Sequence, residues 1–234
     1  MDKENTNEAL IRFWDSAIRM NEESKEELRK AEDLDYRELA PSKKLLDAIY
    51  ELRSCRRVLD YGCGNGWASI AAIKCGCPKV QAVDMGKGII DSVSFFADLF
   101  GVKDSLEATL ITPDWLSKVP DNSFDGLICS NVLDVVPLET CKEIIQECAR
   151  ILQKDAKAVI GLNFYMSPEA AKARGVELVE GRYLFVDGIL RLSSRKDEEW
   201  EELFAPYFEI LKLDHFAWPN EEKESRRLFL LRRK

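Results

Sequence analysis

The segment from Val58 to Gly66, VLDYGCGNG, is the feature that most restricts the fold of this chain. Its apolar start has the length of a strand, and Trp67 to Lys74 after it is predicted to be a helix. Glycines permit backbone conformations with positive φ and let a ligand approach the main chain, while a helix N-terminus offers unpaired N–H groups. A strand, this turn and a helix therefore predict a βαβ unit that binds a ligand of the nucleoside type.

Apolar runs of strand length alternate with segments of helical periodicity along the centre of the chain. This alternation is typical of βαβ units and predicts a mostly parallel sheet with helices on both faces. Gly76 and Gly101 lie where two helices of the series should end. The predicted strands are Arg57–Tyr61, Val80–Asp84, Leu106–Ile111, Phe124–Ser130 and Ala158–Asn163.

The alternation ends after Asn163. Two short apolar runs then flank Asp187-Gly188, a dipeptide that favours the tight turn of a β-hairpin. The C-terminal part is therefore predicted to contain an insertion and then a return to the sheet. Its predicted elements are the hairpin strands Tyr183–Val186 and Ile189–Leu192, a helix at Asp197–Phe204, and two closing strands at Phe208–Asp214 and Leu228–Arg232.

The N-terminal residues differ in pattern from the rest of the chain. An amphipathic helix is predicted first, followed by the charged stretch Asn21 to Glu38 and by a helix that Pro41 begins. Phe13 and Trp14 are open to two interpretations, because they suit either a lid over a ligand or a stripe that packs on the core. The apolar residues that share one helical face are Leu10, Phe13, Trp14, Ala17 and Ile18.

Charge and cysteine content exclude several classes of protein. Lys and Arg number 34 against 42 Asp and Glu, and the net charge of −8 would repel nucleic acid. The seven cysteines are an odd number in apolar contexts, and residues 1–5 contain no apolar signal core, so we expect a reducing, cytoplasmic location. No apolar run approaches the about 18 residues of a membrane span. We expect no metal site either, because Cys75 and Cys77 lack a second cysteine pair and His215 is the single histidine.

Two kinds of nucleoside-binding protein fit the glycine turn at this point. The dinucleotide fingerprint G-x-G-x-x-G needs a third glycine where this chain has Trp67 or Ser69. Both kinds place an acidic residue at the end of the second strand to bind ribose hydroxyls, and Asp84 satisfies either. Asp84 therefore predicts a nucleoside without saying which one.

Four segments together resemble the class I S-adenosylmethionine-dependent methyltransferases. Val58 to Gly66 is similar to motif I of that family, and Gln81 to Met85 to its second motif. Pro113-Asp114-Trp115 resembles the loop that contacts adenine, and Pro120 to Leu133 resembles the fourth-strand signature of the type 11 methyltransferase domain. The chain departs from that signature at Asp134-Val135, where the family usually has an acidic residue and a histidine. A mechanism that uses a histidine there is in doubt.

The resemblance implies a Rossmann-like α/β fold, a three-layer sandwich whose seven-stranded sheet is parallel except for its seventh strand, which inserts between the fifth and sixth. It also implies S-adenosylmethionine as the cofactor. Asp60 should be buried and should accept hydrogen bonds from the backbone of the loop. Asp114 could bind the adenine amino group or cap a helix, and Trp115 could stack on adenine or only pack. The predicted cofactor-binding residues are Asp60, Gly62, Cys63, Gly64, Gly66, Asp84, Met85, Asp114, Trp115, Asn131 and Val132.

The methyl acceptor is less defined by the sequence. The acidic balance and the aromatic content favour a small organic acceptor methylated on oxygen or nitrogen, with a protein substrate as the other option. We divide the chain into a helical cap at 1–52 and a methyltransferase domain at 53–234, in which the insertion 164–195 covers the acceptor pocket. Other functions that fit are an NAD(P)-dependent oxidoreductase and a non-catalytic nucleoside-binding protein. No catalytic base is assigned, and its candidates are Tyr165, Tyr183, Asp134 and Glu177.

Overall fold

The computed structural model describes residues 3–234, with side chains described from Glu8 onward. The helices are α1 (Lys3–Ile18), α2 (Glu22–Lys30), a 3-10 helix (Tyr36–Leu39), α3 (Lys43–Tyr50), α4 (Trp67–Lys74), α5 (Lys87–Leu99), α6 (Trp115–Lys118), α7 (Leu138–Ile151), α8 (Pro168–Ala173) and α9 (Asp197–Phe204). The strands are β1 (Val58–Tyr61), β2 (Val80–Asp84), β3 (Leu106–Leu110), β4 (Phe124–Ser130), β5 (Leu152–Leu162), β6 (Tyr183–Val186), β7 (Ile189–Ser193), β8 (Phe208–Phe216) and β9 (Arg226–Arg233).

Seven strands form one sheet in the order β3-β2-β1-β4-β5-β9-β8. Strands β1 to β5 pair in parallel, whereas β9 pairs antiparallel with both β5 and β8. The last strand, β9, therefore lies between β5 and β8 in the sheet. This arrangement confirms the predicted Rossmann-like fold class.

The central strands β1, β2 and β4 are buried on both faces, which explains their mostly apolar sequences. Leu59 and Leu127 point to the face covered by α7 and α9, where they join one core cluster. Val58 and Ile128 point to the opposite face, in a cluster with residues of α3 and α4. Helix α3 lies in the segment predicted to be the N-terminal cap, yet it packs on the sheet. The predicted cap 1–52 thus contributes a helix to this side of the core, and its residues 1 and 2 lie outside the described residues.

Strand β5 is longer than its prediction because it begins at Leu152, where α7 ends, rather than at Ala158. Leu152 pairs with Phe124, and a register shift follows in β4 before the regular pairing resumes. Asp155 has a positive φ of 64° within this stretch. Because Gln153 to Asp155 are polar, the first half of β5 does not form an apolar run and was not predicted to be a strand.

The hairpin β6–β7 forms a separate two-stranded sheet, as Asp187-Gly188 predicts. Both turn residues have positive φ, 51° and 76°, which matches the turn type that joins antiparallel strands most tightly. The hairpin contacts α1, and α1 in turn contacts α5. A layer consisting of α1 and the hairpin thus lies over one end of the sheet.

Candidate functional site

A cavity of about 700 Å³ lies at the carboxyl ends of β1, β2 and β4. This is the edge at which open α/β sheets bind ligands, and the volume is within the usual range for small-molecule sites. Most of the lining is apolar and comes from helices and loops around that edge. The lining residues from the strand ends and the glycine turn are Asp60, Tyr61, Gly62, Cys63, Gly64, Asn65, Asp84, Met85, Ser130, Asn131 and Val132.

The glycine turn brings its main chain against β4. Gly62 has a φ of 69°, and a Cβ atom there would lie 2.3 Å from Cγ2 of Val132. Gly62 must therefore lack a side chain for both conformational and steric reasons. Gly66 is the N-cap of α4 and donates its N–H to the carbonyl oxygen of Cys63 at 2.9 Å, but it does not itself line the cavity.

Asp60 is a buried carboxyl at the floor of the cavity. It accepts a hydrogen bond from the Ser69 hydroxyl at 2.6 Å. Ser69 lies on α4, so the expectation that the loop backbone would satisfy this carboxyl was wrong. Burial removes the solvation of the charged form and raises the pKa of Asp60 to about 7. A cationic group beside Asp60 would favour its ionised form.

We expect the stability of the ligand-free protein to fall as the pH rises from about 4 to about 7. The reason is that the pKa of Asp60 rises from 3.8 in its ordinary state to about 7 in the fold. The folded state therefore holds this proton more tightly than the unfolded chain, and the stabilisation is complete only below the lower value. The Asp60→Asn variant keeps an acceptor for Ser69 and should lose stability less steeply. Urea unfolding across this pH range measures the slope, and equal slopes for both proteins would contradict the expectation.

Asp84 joins the glycine turn to the loop that precedes α5. Its two carboxylate oxygens accept hydrogen bonds from the backbone N–H of Gly64 at 3.3 Å and of Gly86 at 3.0 Å. Burial raises the pKa of this carboxyl, and the two backbone donors oppose the effect. Asp84 and Met85 both line the cavity. The carboxylate thus orders two cavity-lining loops and still faces the space between them.

Asn131 turns the chain at the end of β4. Its φ of 59° is left-handed, and its side-chain amide donates to Oδ1 of Asn163 at 3.3 Å. Asn163 follows β5, so the bond ties two neighbouring strand ends together. Asn131 and Val132 line the cavity as the resemblance implies, and Val132 packs against Gly62.

The structure places Asp114 and Trp115 outside the cavity lining. Asp114 is exposed, accepts from the Thr112 hydroxyl at 2.6 Å and pairs with Lys118 at 2.6 Å, which lowers its pKa. Its side chain makes no capping bond to α6 either. Trp115 is partly buried and packs against the core. The lining residues from this segment are Pro113, Leu116 and Ser117.

Helix α1 supplies the part of the cavity wall that the strand ends leave open. Trp14 faces the cavity, whereas the Phe13 ring faces outward under the Arg191 guanidinium of the hairpin, 3.3 Å from its centroid. Ala17, predicted to share the apolar face, is exposed. The sequence predicted the apolar stripe of this helix. It did not predict which of its side chains line the cavity and which lie outside it. The lining residues of α1 are Leu10, Ile11, Trp14 and Ile18.

The insertion 164–195 contributes no residue to the lining of this cavity, and its role as a cover of the acceptor pocket stays a prediction. Its strand β7 contacts α1, and the Arg191 guanidinium lies over the Phe13 ring of that helix. Of the four candidate bases, none lines the cavity. Asp134 is buried and accepts from the backbone N–H of Asn163, and His215 bonds Asp197 at 3.2 Å away from the cavity.

Three further sets of lining residues were not predicted as site residues from the sequence. The loop between β8 and β9 contributes Trp218, and Leu39 and Pro41 come from the segment before α3. The third contribution is a face of α7, which carries Thr140, Glu143, Ile144 and Glu147. The spacing of Thr140, Glu143 and Glu147 is helical, but nothing in their residue types distinguishes a cavity wall from a solvated face.

Among residues whose side chains are described, no three His, Cys, Asp or Glu side chains cluster closely enough to hold a metal ion. In the described part of the chain, no helix has both the length and the apolar character needed to cross a membrane.

A family model described as a methyltransferase domain matches residues 58–155. A ubiquinone biosynthesis O-methyltransferase of Neisseria meningitidis serogroup C is 24% identical over 161 residues, which cover 69% of this chain and 62% of that protein. A ribosomal protein L11 methyltransferase of Shewanella woodyi is 34% identical over 92 residues, 39% of this chain and 29% of that one. The chain spans less than two thirds of the length of these curated relatives.

A solved structure shares the fold over the whole chain. The Burkholderia thailandensis 1,6-didemethyltoxoflavin-N1-methyltransferase, with bound 1,6-didemethyltoxoflavin and S-adenosylhomocysteine, has a TM-score of 0.70 and 15% identity, and the alignment covers 100% of this chain and 91% of that one. The matched family segment, residues 58–155, contains the glycine turn, Asp84 and Asn131. Helix α1 and the β8–β9 loop lie outside that segment.

Proposed function

Because residues 58–155 form a methyltransferase domain of the class I S-adenosylmethionine-dependent family, we propose that this chain transfers the methyl group of S-adenosylmethionine to an oxygen or nitrogen atom of a small organic acceptor. The observation that carries the proposal is the single cavity that brings together the glycine turn, Asp84 and Asn131. No comparison favours an oxidoreductase or a non-catalytic binder. We assign cofactor binding and methyl transfer to the matched domain, and the choice of acceptor to the segments around it.

The residues present fit this cofactor. Carboxylates are the only charged side chains among the described residues that line the cavity, and they suit a ligand that carries a sulfonium and an ammonium group. Asp84 would accept hydrogen bonds from ribose hydroxyls, and Gly64 with the N-terminus of α4 would lie against the methionine carboxylate. Met85 and Pro113 would pack on the adenine ring. Asn131 and Val132 would form the wall between the cofactor and the acceptor.

When bound, S-adenosylmethionine supplies a methyl group on a sulfur that is already an activated leaving group. The protein then has to hold the acceptor in line with that methyl group and to exclude water. The apolar walls from α1 and α7 serve the second need, because Leu10, Ile11 and Ile144 cover the cavity without offering hydrogen bonds to solvent. No histidine lies among the described lining residues, so an acceptor proton would pass to a carboxylate or to water.

We extend the proposal to helix α1, which we expect to act as a cap over the cofactor. Asp15 accepts hydrogen bonds from the backbone N–H of Gly88 at 2.6 Å and of Ile89 at 3.1 Å. These two donors belong to the N-terminus of α5, just after the loop of Asp84. A carboxylate from α1 therefore closes the unpaired end of α5, where the helix dipole favours negative charge. The contact fastens the cap beside the proposed ribose site.

Replacing Asp15 with alanine should weaken S-adenosylhomocysteine binding about tenfold, mainly through faster release, because two hydrogen bonds to a charged acceptor are lost. Stopped-flow measurement of the release rate tests this. The matched control is Arg12→Ala on the same helix, since the Arg12 side chain is exposed and, among the residues with described side chains, forms an ion pair with Glu8 at 4.0 Å. If both variants release the ligand at the wild-type rate, α1 is not a cap.

Isothermal titration with separate cofactors tests the proposed function. We expect S-adenosylmethionine and S-adenosylhomocysteine to bind with micromolar affinity, and NAD(H) and NADP(H) not to bind. Micromolar binding of a dinucleotide without binding of S-adenosylmethionine would overturn the proposal. Cofactor binding without methyl transfer to any member of a broad library of small phenols and amines would favour a non-catalytic binder.

A further inference from the structure

Trp218 is the one exposed large aromatic residue among the described lining residues of the cavity. It lies in the β8–β9 loop, and 39% of its surface is accessible. In the sheet order, β9 and β8 follow β5, whereas Asp84 ends β2 on the other side of β1. The Trp218 loop therefore borders the half of the cavity that the proposed cofactor residues do not occupy. This is the half in which a methyl acceptor has to lie.

The ring of Trp218 is held in place by a closed set of contacts. The Arg226 guanidinium lies over one face of the ring, 3.6 Å from its centroid. Glu221 accepts two bonds from Arg226, both 2.7 Å, and a third from the backbone N–H of Trp218 at 3.0 Å. Arg226 is itself buried and also donates to Asn163, the partner of Asn131. Arg226 thus links the Trp218 ring to the strand-end residues Asn163 and Asn131, while 39% of the Trp218 surface stays accessible.

When a flat ligand stacks on a rigid aromatic ring at the mouth of a cavity, little conformational entropy is lost, because the ring is already ordered. Exposed tryptophan is otherwise unfavourable in water, and its two partners, Arg226 and Glu221, hold Trp218 in this position. Trp14 and Trp67 also line the cavity and add apolar surface. These features favour a flat, unsaturated acceptor over a flexible or strongly polar one.

The charges around the cavity restrict the acceptor further. Among the described residues, the lining contains no Lys, Arg or His, and its charged members are Asp60, Asp84, Glu143 and Glu147. Two guanidinium groups near the cavity are already in ion pairs: Arg226 with Glu221, and Arg150 with Glu147 at 2.8 Å. A carboxylate or phosphate on the acceptor would lose its hydration and would find no cationic side chain in the described lining, whereas Glu143 and Glu147 would repel it.

We propose that the acceptor is a flat aromatic molecule without an anionic group and that it stacks on Trp218, which determines specificity for it. This inference rests on the proposed function. It assigns to the β8–β9 loop the role that the insertion 164–195 was predicted to have. Trp218 acts in binding and not in the transfer step itself.

Binding of three matched probes to the full chain saturated with S-adenosylhomocysteine tests the inference: 2-naphthol, its saturated analogue decahydro-2-naphthol, and 6-hydroxy-2-naphthoate. We expect 2-naphthol to bind at least about threefold more tightly than the saturated analogue and about tenfold more tightly than the carboxylate. Trp218→Ala should weaken 2-naphthol binding by about three- to tenfold, and Trp218→Phe should restore most of it. The binding of decahydro-2-naphthol should change less.

Leu211→Ala is the matched control, because Leu211 is equally exposed, at 39%, and lies on β8 outside the cavity lining. It should leave all three affinities unchanged. Equal binding of 2-naphthol to wild type and Trp218→Ala, equal binding of the carboxylate and 2-naphthol, or no binding of any probe would each overturn the inference. If S-adenosylhomocysteine itself fails to bind, it is the proposed function that fails, so the two failures are distinguishable.

Discussion

Replacing Gly62 with alanine is expected to reduce S-adenosylhomocysteine affinity by at least about 100-fold and to destabilise the fold by about 2–5 kcal/mol. The added Cβ would lie 2.3 Å from Cγ2 of Val132, on a backbone with a φ of 69°. Strain and overlap therefore act together, and relief of the overlap must move either the turn or the end of β4. Both line the cavity. Isothermal titration and urea unfolding measure the two effects.

Gly101→Ala separates strain from overlap. Its φ of 65° is close to that of Gly62, but a Cβ atom there would meet nothing within 4 Å. It should cost about 1–2 kcal/mol of stability and leave cofactor affinity unchanged. A second control is the double variant Gly62→Ala with Val132→Ala, which removes the overlapping methyl group and should recover part of the stability. A single Gly62→Ala variant that binds S-adenosylhomocysteine like the wild type would contradict the assignment of the turn.

The second large effect is expected at Asp84. Asp84→Ala removes the acceptor of the Gly64 and Gly86 N–H groups together with the proposed ribose contact. Each lost bond to a charged acceptor is worth about 1–3 kcal/mol, so we expect S-adenosylhomocysteine affinity to fall about 100-fold. Asp84→Asn keeps one acceptor oxygen, so its affinity for S-adenosylhomocysteine should lie between those of the wild type and Asp84→Ala. Titration of each variant with S-adenosylhomocysteine measures the loss.

Asp91→Asn is the control for this series, because Asp91 is an exposed carboxylate on α5 whose partner is Lys87 at 3.6 Å. It should bind the ligand like the wild type. Adenine binding alone offers a further check: since it lacks the ribose, its affinity should change little in Asp84→Asn. Should adenine and S-adenosylhomocysteine lose affinity equally, Asp84 would be acting only through loop order.

The regular parts of the fold were predictable because their signals are local. The strands β1, β2 and β4 are short apolar runs bounded by turn residues, and α9 begins and ends at the predicted residues. The Asp187-Gly188 turn needs only two residues to specify a hairpin. Strand β5 shows the limit of such signals, since its first half is polar and pairs with β4 only because Leu152 meets Phe124 across the sheet.

The meeting of the strand-end residues at one cavity was also predictable from the sequence, since parallel strands end at one edge and carry their terminal residues to a common place. That argument brought Asp60, Asp84 and Asn131 together, as the structure does. It could not tell which side of a short helix faces inward. Asp114 and Trp115 therefore stay predictions for the adenine site, with Asp114 engaged by Lys118 on the surface.

The sequence by itself determined the sheet, the glycine turn and the class of cofactor, because each depends on residue types at short spacing. Only the tertiary structure decided what covers the cavity. The contacts that settle it join residues far apart in the chain, such as Asp15 with Gly88 and Arg226 with Asn163. These contacts hold α1 against the start of α5 and the start of β9 against the end of β5, and residue types at short spacing do not specify either of them.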